Sequence, residues 1–107
     1  MDKNANELSI GWTTVADAES AERLARGMVE SGLAACAQID GGVTSVFPWK
    51  GRVDTETEWR LMVKFPAANE ARMREWLDEC HPYETPEWVV VRAADVAPEY
   101  LRWALSL

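Results

Sequence analysis

The chain has 107 residues, 48% of them hydrophobic, and a formal net charge of −7 at pH 7. This length suffices for one domain with one hydrophobic core. The acidic balance excludes a basic surface of the kind that binds nucleic acid or anionic membranes, and no apolar run is long enough to span a bilayer. We therefore expect one globular domain with neither nucleic acid nor membrane as a partner.

The N-terminus and the cysteines indicate the cellular compartment. Residues 1–7 lack the apolar core of a signal peptide and are predicted to form a flexible tail, so that the single domain spans residues 8–107. The two cysteines, Cys36 and Cys80, are too few for a disulfide framework. Both are expected to be reduced thiols of a cytoplasmic protein.

The first half of the chain predicts a strand, a helix and a second strand. Residues 8–12 alternate between apolar and polar, the pattern of a strand with one buried face. A helix is expected to begin after Asp17, as its cap, and to end at a left-handed Gly32. Apolar residues recur along it at intervals of three and four: Ala21, Leu24, Ala25, Met28 and Val29. Residues 33–39 read as a second strand, which bends at two glycines and continues over residues 44–49.

The second half predicts two strands and two helices. Residues 57–65 alternate regularly as a third strand, which Pro66 ends. A second helix is expected to stop at His81, because Pro82 disfavours helical backbone in the residue before it. Its apolar stripe consists of Met73, Trp76, Leu77 and Cys80. Residues 88–93 form the fourth predicted strand. Pro98 suits the first turn of a last helix. The side chains of Tyr100, Leu101 and Trp103 in this helix are expected to pack down onto the domain.

The order of elements predicts an α+β fold. A strand, helix, strand, strand, helix, strand order with a short C-terminal helix is that of a ferredoxin-like βαββαβ sandwich, with an antiparallel sheet and both main helices on one face. The other sheet face is then uncovered, and several tryptophans remain to be buried. We therefore expect an oligomer.

The segment His81-Pro82-Tyr83-Glu84-Thr85-Pro86-Glu87 concentrates chemistry in one loop. It holds the chain's only histidine, and its two prolines restrict the backbone. The loop is therefore expected to present an imidazole, a phenol and two carboxylates beside a sheet edge. Two interpretations remain open. The loop presents these groups to a ligand, or its prolines only end a helix and its tyrosine only fills a core.

Three stretches of the chain, taken together, resemble one family. Leu33-Ala34-Ala35-Cys36-Ala37, then Thr44-Ser45-Val46-Phe47-Pro48-Trp49-Lys50-Gly51, then the His81–Glu87 loop resemble, in order and spacing, the CutA divalent-cation tolerance family. The resemblance runs from about residue 8 to residue 103. Three positions depart from the family pattern: Phe47 stands where tyrosine is usual, Ala16 where proline is frequent, and Phe65 where threonine is usual.

The resemblance implies a fold, an assembly and a role. Members of that family are ferredoxin-like homotrimers whose long strands pair between subunits, and in bacteria they are cytoplasmic. The family is linked to copper and divalent-metal tolerance, with no required cofactor and no established reaction. Its similarity in shape to PII-type signalling trimers suggests small-ligand sensing, and animal relatives suggest a structural or anchoring module.

The candidate metal ligands are His81 and Cys36, with Glu58 as a third. Thiolate prefers Cu(I) and imidazole suits Cu(II) or Zn(II), so copper or another divalent cation is the expected metal. No Cys-x-x-Cys or His-x3-His pair is present, so a single chain lacks the spacing of a preformed chelate. Cys36 also suits a small buried position. A trimer could complete a site across an interface.

A different set of residues predicts a pocket between subunits. It consists of Trp49, Lys64, Tyr83, Glu87, Tyr100 and Trp103. Catalysis is not expected, because no Ser-His-Asp set, phosphate loop or dinucleotide fingerprint is present. We therefore predict a non-enzymatic protein whose partners are copies of itself and either a divalent metal ion or a small ligand.

Overall fold

The computed structural model describes residues 5–107, so residues 1–4 of the predicted tail lie outside the described residues. The strands are β1 (Leu8–Val15), β2 (Cys36–Trp49), β3 (Arg52–Pro66) and β4 (Val89–Arg92). The helices are α1 (Ala18–Glu30), α2 (Glu70–Cys80) and α3 (Pro98–Leu105), and a 3₁₀ turn (Ala67–Asn69) precedes α2. The sheet order is β2-β3-β1-β4, and every neighbouring pair is antiparallel. The α+β, ferredoxin-like fold is confirmed.

The end of the predicted tail is tied to the domain. The Glu7 carbonyl accepts a hydrogen bond from the Ala67 N–H at 2.9 Å, and the Glu7 carboxylate pairs with Arg92 at 2.6 Å. Arg92 also binds both oxygens of Glu70, one of which accepts the hydroxyl hydrogen of Ser9. This network joins β1, β4 and the start of α2.

Helix α1 begins and ends where the sequence predicts. Asp17 caps it by accepting a hydrogen bond from the Ser20 N–H at 2.7 Å, and Gly32 has φ of +79°. The Leu33 and Ala34 N–H groups then donate to the carbonyl of Met28. These two N–H groups are therefore bonded to the end of α1 and not to a neighbouring strand. As a result β2 begins at Cys36 rather than at the predicted residue 33.

The core lies between the sheet and helices α1 and α2. Its buried side chains are Val15, Ala21, Leu24, Ala25, Met28, Leu33, Ala34, Leu61, Val63, Phe65, Met73 and Leu77. Trp59, Trp76 and Trp88 pack against this cluster, and Trp88 stacks on Phe65 with ring centres 6.0 Å apart. A side chain at Gly11 would overlap the Trp88 ring, so this position of β1 requires glycine.

Helix α3 contacts the opposite face of the sheet. Lys64 points away from the core, since it alternates with the buried Val63 and Phe65, and its ammonium lies 5.4 Å from the Tyr100 ring centre. The expectation that Trp103 packs down is wrong within one chain, because this side chain is 54% exposed and only Ala104 of α3 is fully buried. No helix within residues 5–107 has the length and apolar character needed to cross a membrane.

Strands β2 and β3 extend well beyond the rest of the sheet. Pairing of β1 with β3 ends at Val15 and Trp59, whereas pairing of β2 with β3 continues to Trp49 and Arg52. Residues 43–58 therefore form a two-stranded hairpin arm, and the molecule measures 47 × 25 × 24 Å. The predicted bend in β2 is a register shift between Gly41 and Val43 within one continuous strand.

Candidate functional site

The loop at residues 81–87 starts from a sharp helix end. Helix α2 stops at Cys80 because His81, which precedes Pro82, adopts extended backbone with φ of −72° and ψ of 133°. This conformation directs the chain past the end of β1, where the edge of β3 has no strand partner from β1. The loop thus lies beside the base of the hairpin arm.

His81 is buried and hydrogen-bonded at both ring nitrogens. Its Nδ1 lies 3.0 Å from the Tyr83 backbone nitrogen, which can only donate, so Nδ1 is the unprotonated nitrogen. Nε2 then carries the hydrogen and points to the Thr14 carbonyl at 3.1 Å and the Thr13 hydroxyl at 2.9 Å. Burial lowers the pKa of His81, while the Thr14 carbonyl and the charge of Glu58 act in the opposite direction. The neutral imidazole is therefore a fixed connection between the loop and β1.

Tyr83 connects the loop to the arm. Its hydroxyl donates to a carboxylate oxygen of Glu58 at 2.9 Å, and its ring centre lies 5.1 Å from that of His81. Burial and the hydrogen bond to Glu58 raise the pKa of Tyr83 to about 12. The phenol therefore stays protonated and holds Glu58 in place.

A cleft of about 780 Å³ lies between the hairpin arm and this loop. Its lining consists of Thr14, Phe47, Pro48, Trp49, Glu58, Pro82, Tyr83, Glu84, Thr85 and Glu87. An adjoining cavity of about 440 Å³ adds Ala16, Asp54 and Glu56 and shares Phe47, Trp49, Glu58 and Tyr83 with the first. We call the two together the arm cleft. Aromatic rings and carboxylates dominate its lining, a combination suited to a positively charged or partly apolar ligand.

The structure divides the predicted pocket residues into two groups. Trp49, Tyr83 and Glu87 line the arm cleft. Lys64 and Tyr100 are in contact with each other elsewhere, and the Tyr100 and Trp103 ring centres are 5.6 Å apart. The second group lies near the end of β3, six residues beyond Glu58 and about 20 Å along the strand. The predicted pocket lies between subunits, and one protomer alone holds these two groups apart.

Most of the cleft lining was missing from the predicted set, including the aromatic Phe47 and the acidic Glu84. Phe47 lies two residues before Trp49 on β2, so the period of a strand places both on one side. Glu84 follows Tyr83 in the loop. Strand alternation could have identified Phe47, whereas the orientation of Glu84 depends on how the loop folds back.

The predicted metal ligands do not converge within one protomer. Cys36 is paired with Lys64, whose side chain is on the face opposite to that of Leu61. His81 contacts Thr13, which pairs with Leu61 and shares its face. Cys36 and His81 thus lie on opposite faces of the sheet. Within the part of the chain that the structure describes, no three histidine, cysteine or acidic side chains are placed to hold a metal ion together.

Comparison with known proteins gives consistent matches over the whole domain. The sequence model of the family described as CutA1 divalent ion tolerance protein matches residues 9–106. A Xenopus laevis protein named Protein CutA homolog is 33% identical over 99 residues, which are 92% of this chain and 66% of that protein. This chain thus spans slightly less than two thirds of the frog protein. An Escherichia coli O81 (strain ED1a) protein named Divalent-cation tolerance protein CutA is 33% identical over 103 residues, 95% of this chain and 92% of that protein. The solved structure of CutA from Synechococcus elongatus PCC7942 matches with a TM-score of 0.90 at 33% identity, over 94% of this chain and 89% of that chain.

Proposed function

Since the chain belongs to the CutA1 divalent ion tolerance family, we propose that it contributes to tolerance by binding the cation itself, copper first, as a non-enzymatic cytoplasmic homotrimer. The observation that carries the proposal is the placement of Glu58. One of its oxygens accepts the Tyr83 hydroxyl, and no other donor from residues 5–107 reaches this carboxylate. Glu84 and Glu87 line the same cleft. Carboxylate oxygens are suitable ligands for divalent cations.

His81 and Cys36 enter this proposal through the assembly. Because they lie on opposite faces of one protomer, a copper site that uses both takes Cys36 from a neighbouring subunit. Cys36 is half-buried on β2, which lies at the edge of the sheet and is therefore available to another chain. Coordination by His81 also requires it to give up its bond from the Tyr83 N–H or its bond to β1.

Copper binding is expected to depend on Glu58. In a chelator-competition titration, Glu58→Gln should weaken Cu(II) binding about 10- to 100-fold, since it removes a charged ligand worth about 1.5–3 kcal/mol. Cys36→Ser should weaken Cu(I) binding, because a thiolate is the preferred Cu(I) ligand. Glu75→Gln, an exposed position on α2, is the matched control and should change neither affinity. Copper affinity that survives the first two substitutions would contradict a specific site.

The trimer is proposed from the surfaces that one chain leaves open. The hairpin arm extends past β1, its Val53 is 75% exposed, and the outer edge of β2 pairs with no strand from residues 5–107. Pairing between chains would cover these edges and apolar side chains.

Light scattering is expected to give about three times the 12.0 kDa chain mass. Val53→Asp should shift the population towards smaller species, because it places a charge where the proposal puts an apolar contact between chains. Glu75→Asp, on the exposed face of α2, should leave the mass unchanged. A stable monomer in the unsubstituted protein would contradict the assembly.

A second candidate function is binding of a small organic ligand in the arm cleft, as a ligand sensor. The aromatic lining favours it, because Phe47 and Trp49 with the two prolines of the lining offer an apolar surface that a hydrated metal ion does not need. The cleft volume of about 780 Å³ also lies in the range of small-molecule sites.

A further inference from the structure

We propose that the arm cleft selects small organic cations, molecules that join a protonated amine to an apolar or aromatic body. The proposal rests on the second candidate function and names the class of ligand that the cleft accepts. It is carried by three features of the described residues: the charge of the lining, its aromatic surface and the fixed position of Glu58.

The charged side chains that line the arm cleft in one protomer are all acidic, and the ammonium of Lys50 lies beside the lining residue Trp49. Its two cavities are lined by five carboxylates: Asp54, Glu56, Glu58, Glu84 and Glu87. Neither cavity has a lysine, arginine or histidine among its described lining residues. The chain as a whole carries a net charge of −7. The local and global potentials therefore attract cations and disfavour phosphates, carboxylates and other anionic metabolites.

The aromatic rings of the cleft add apolar contact area, which would stabilise a bound organic molecule but not a bare metal ion. Phe47, Trp49 and Tyr83 line both cavities. The faces of such rings attract ammonium groups within about 6 Å and also cover apolar carbon. One ring of this set already has such a neighbour, since the Lys50 ammonium lies 5.8 Å from the Trp49 ring centre.

Glu58 supplies the anchor for the ligand's charge. It is half-buried, so its carboxylate is less screened than those of the exposed Glu84 and Glu87. The Tyr83 hydroxyl orients one of its oxygens and leaves lone pairs directed to other donors. A protonated amine at this carboxylate would place its carbon body against Phe47 and Trp49.

The test uses three molecules of similar shape, of which one is positively charged, one neutral and one negatively charged. These are 3-phenylpropylamine, 3-phenylpropanol and 3-phenylpropionate, titrated by calorimetry and tryptophan fluorescence against the full chain in EDTA-containing buffer, so that metal binding does not contribute. The amine is expected to bind at least about tenfold more tightly than the alcohol, and the acid more weakly than both.

Matched variants locate the binding. Glu58→Gln should weaken amine binding about tenfold and leave alcohol binding unchanged, because it removes the charge but keeps the shape. Trp49→Leu should weaken both. Trp103→Leu is the control, because Trp103 is as exposed as Trp49 (54% against 53%) but lies at the other end of the sheet.

Two outcomes would overturn the proposal in different ways. If the alcohol and the acid bind as tightly as the amine and all three are weakened by Trp49→Leu, the cleft is a ligand site without cation selectivity. If none of the three binds, or if binding survives Glu58→Gln and Trp49→Leu, the arm cleft is not the ligand site, and the second candidate function fails with it.

Discussion

Phe65→Ala is expected to lower the free energy of unfolding by about 3–5 kcal/mol, a large part of the stability of a domain of this size. Phe65 is fully buried and stacks on Trp88, whose ring in turn occupies the space left by Gly11. Truncation would leave a cavity beneath the Trp88 ring, bounded by β1 and β3. Denaturant unfolding, followed by tryptophan fluorescence, measures the change.

Phe47→Ala is the matched control, since Phe47 is the only other phenylalanine and is half-buried on the arm. It should cost less than half as much stability, whereas it should weaken ligand binding in the arm cleft, which Phe65 does not line. Equal losses of stability in the two variants would contradict the assignment of Phe65 to the core. Phe65 is thus expected to act through packing.

His81→Ala is expected to lower the free energy of unfolding by about 2–4 kcal/mol. The substitution removes the partner of the Tyr83 N–H and of the Thr14 carbonyl, and an unsatisfied buried group costs about 1–3 kcal/mol. With the loop released, the hydrogen bond from Tyr83 to Glu58 should also weaken. The stability loss and a weaker response of the arm cleft to ligands should therefore appear together.

The pH dependence identifies this role of His81. The pKa of His81 is lowered from 6.5 in the folded chain, so the unfolded chain binds the proton first as pH falls. The stability that neutral His81 contributes is present above pH 6.5 and is lost as pH falls from there towards the lowered pKa. His81 is the chain's only histidine. His81→Ala should therefore remove most of the slope of stability against pH between pH 7 and 5.5.

The same variant distinguishes a structural imidazole from a metal ligand. If His81→Ala abolishes copper binding and leaves both the stability and its pH slope unchanged, His81 acts as a ligand and its hydrogen bonds contribute little. If the stability and the slope both change as expected while Glu58→Gln alone weakens copper binding, His81 positions the loop and Glu58 binds the cation.

The order and type of the elements follow from local patterns in the sequence. Helix α1 follows from its apolar intervals, the cap at Asp17 and the left-handed Gly32. Strand β3, the longest in the sheet, follows from the alternation of its apolar and polar residues. The end of α2 at His81 follows from the proline after it. These signals depend on residues close together in the sequence, so each can be recognised without knowledge of the tertiary structure. The ordered motifs also identified the family, which the match over residues 9–106 confirms.

Only the tertiary structure decided which side chains meet. The sequence predicted Trp49 and Tyr100 as parts of one pocket between subunits and Cys36 and His81 as ligands of one metal, and the strand register shows that within one protomer the members of each pair lie apart. A shift of one residue in register would reverse the face of every side chain, and no local pattern reports that choice. The contacts of His81 Nε2 depend equally on long-range packing, since its partners on β1 lie 67 and 68 residues away. Sequence periodicity determines what each segment forms, whereas the pairing of distant strands determines the chemistry of the cleft between them.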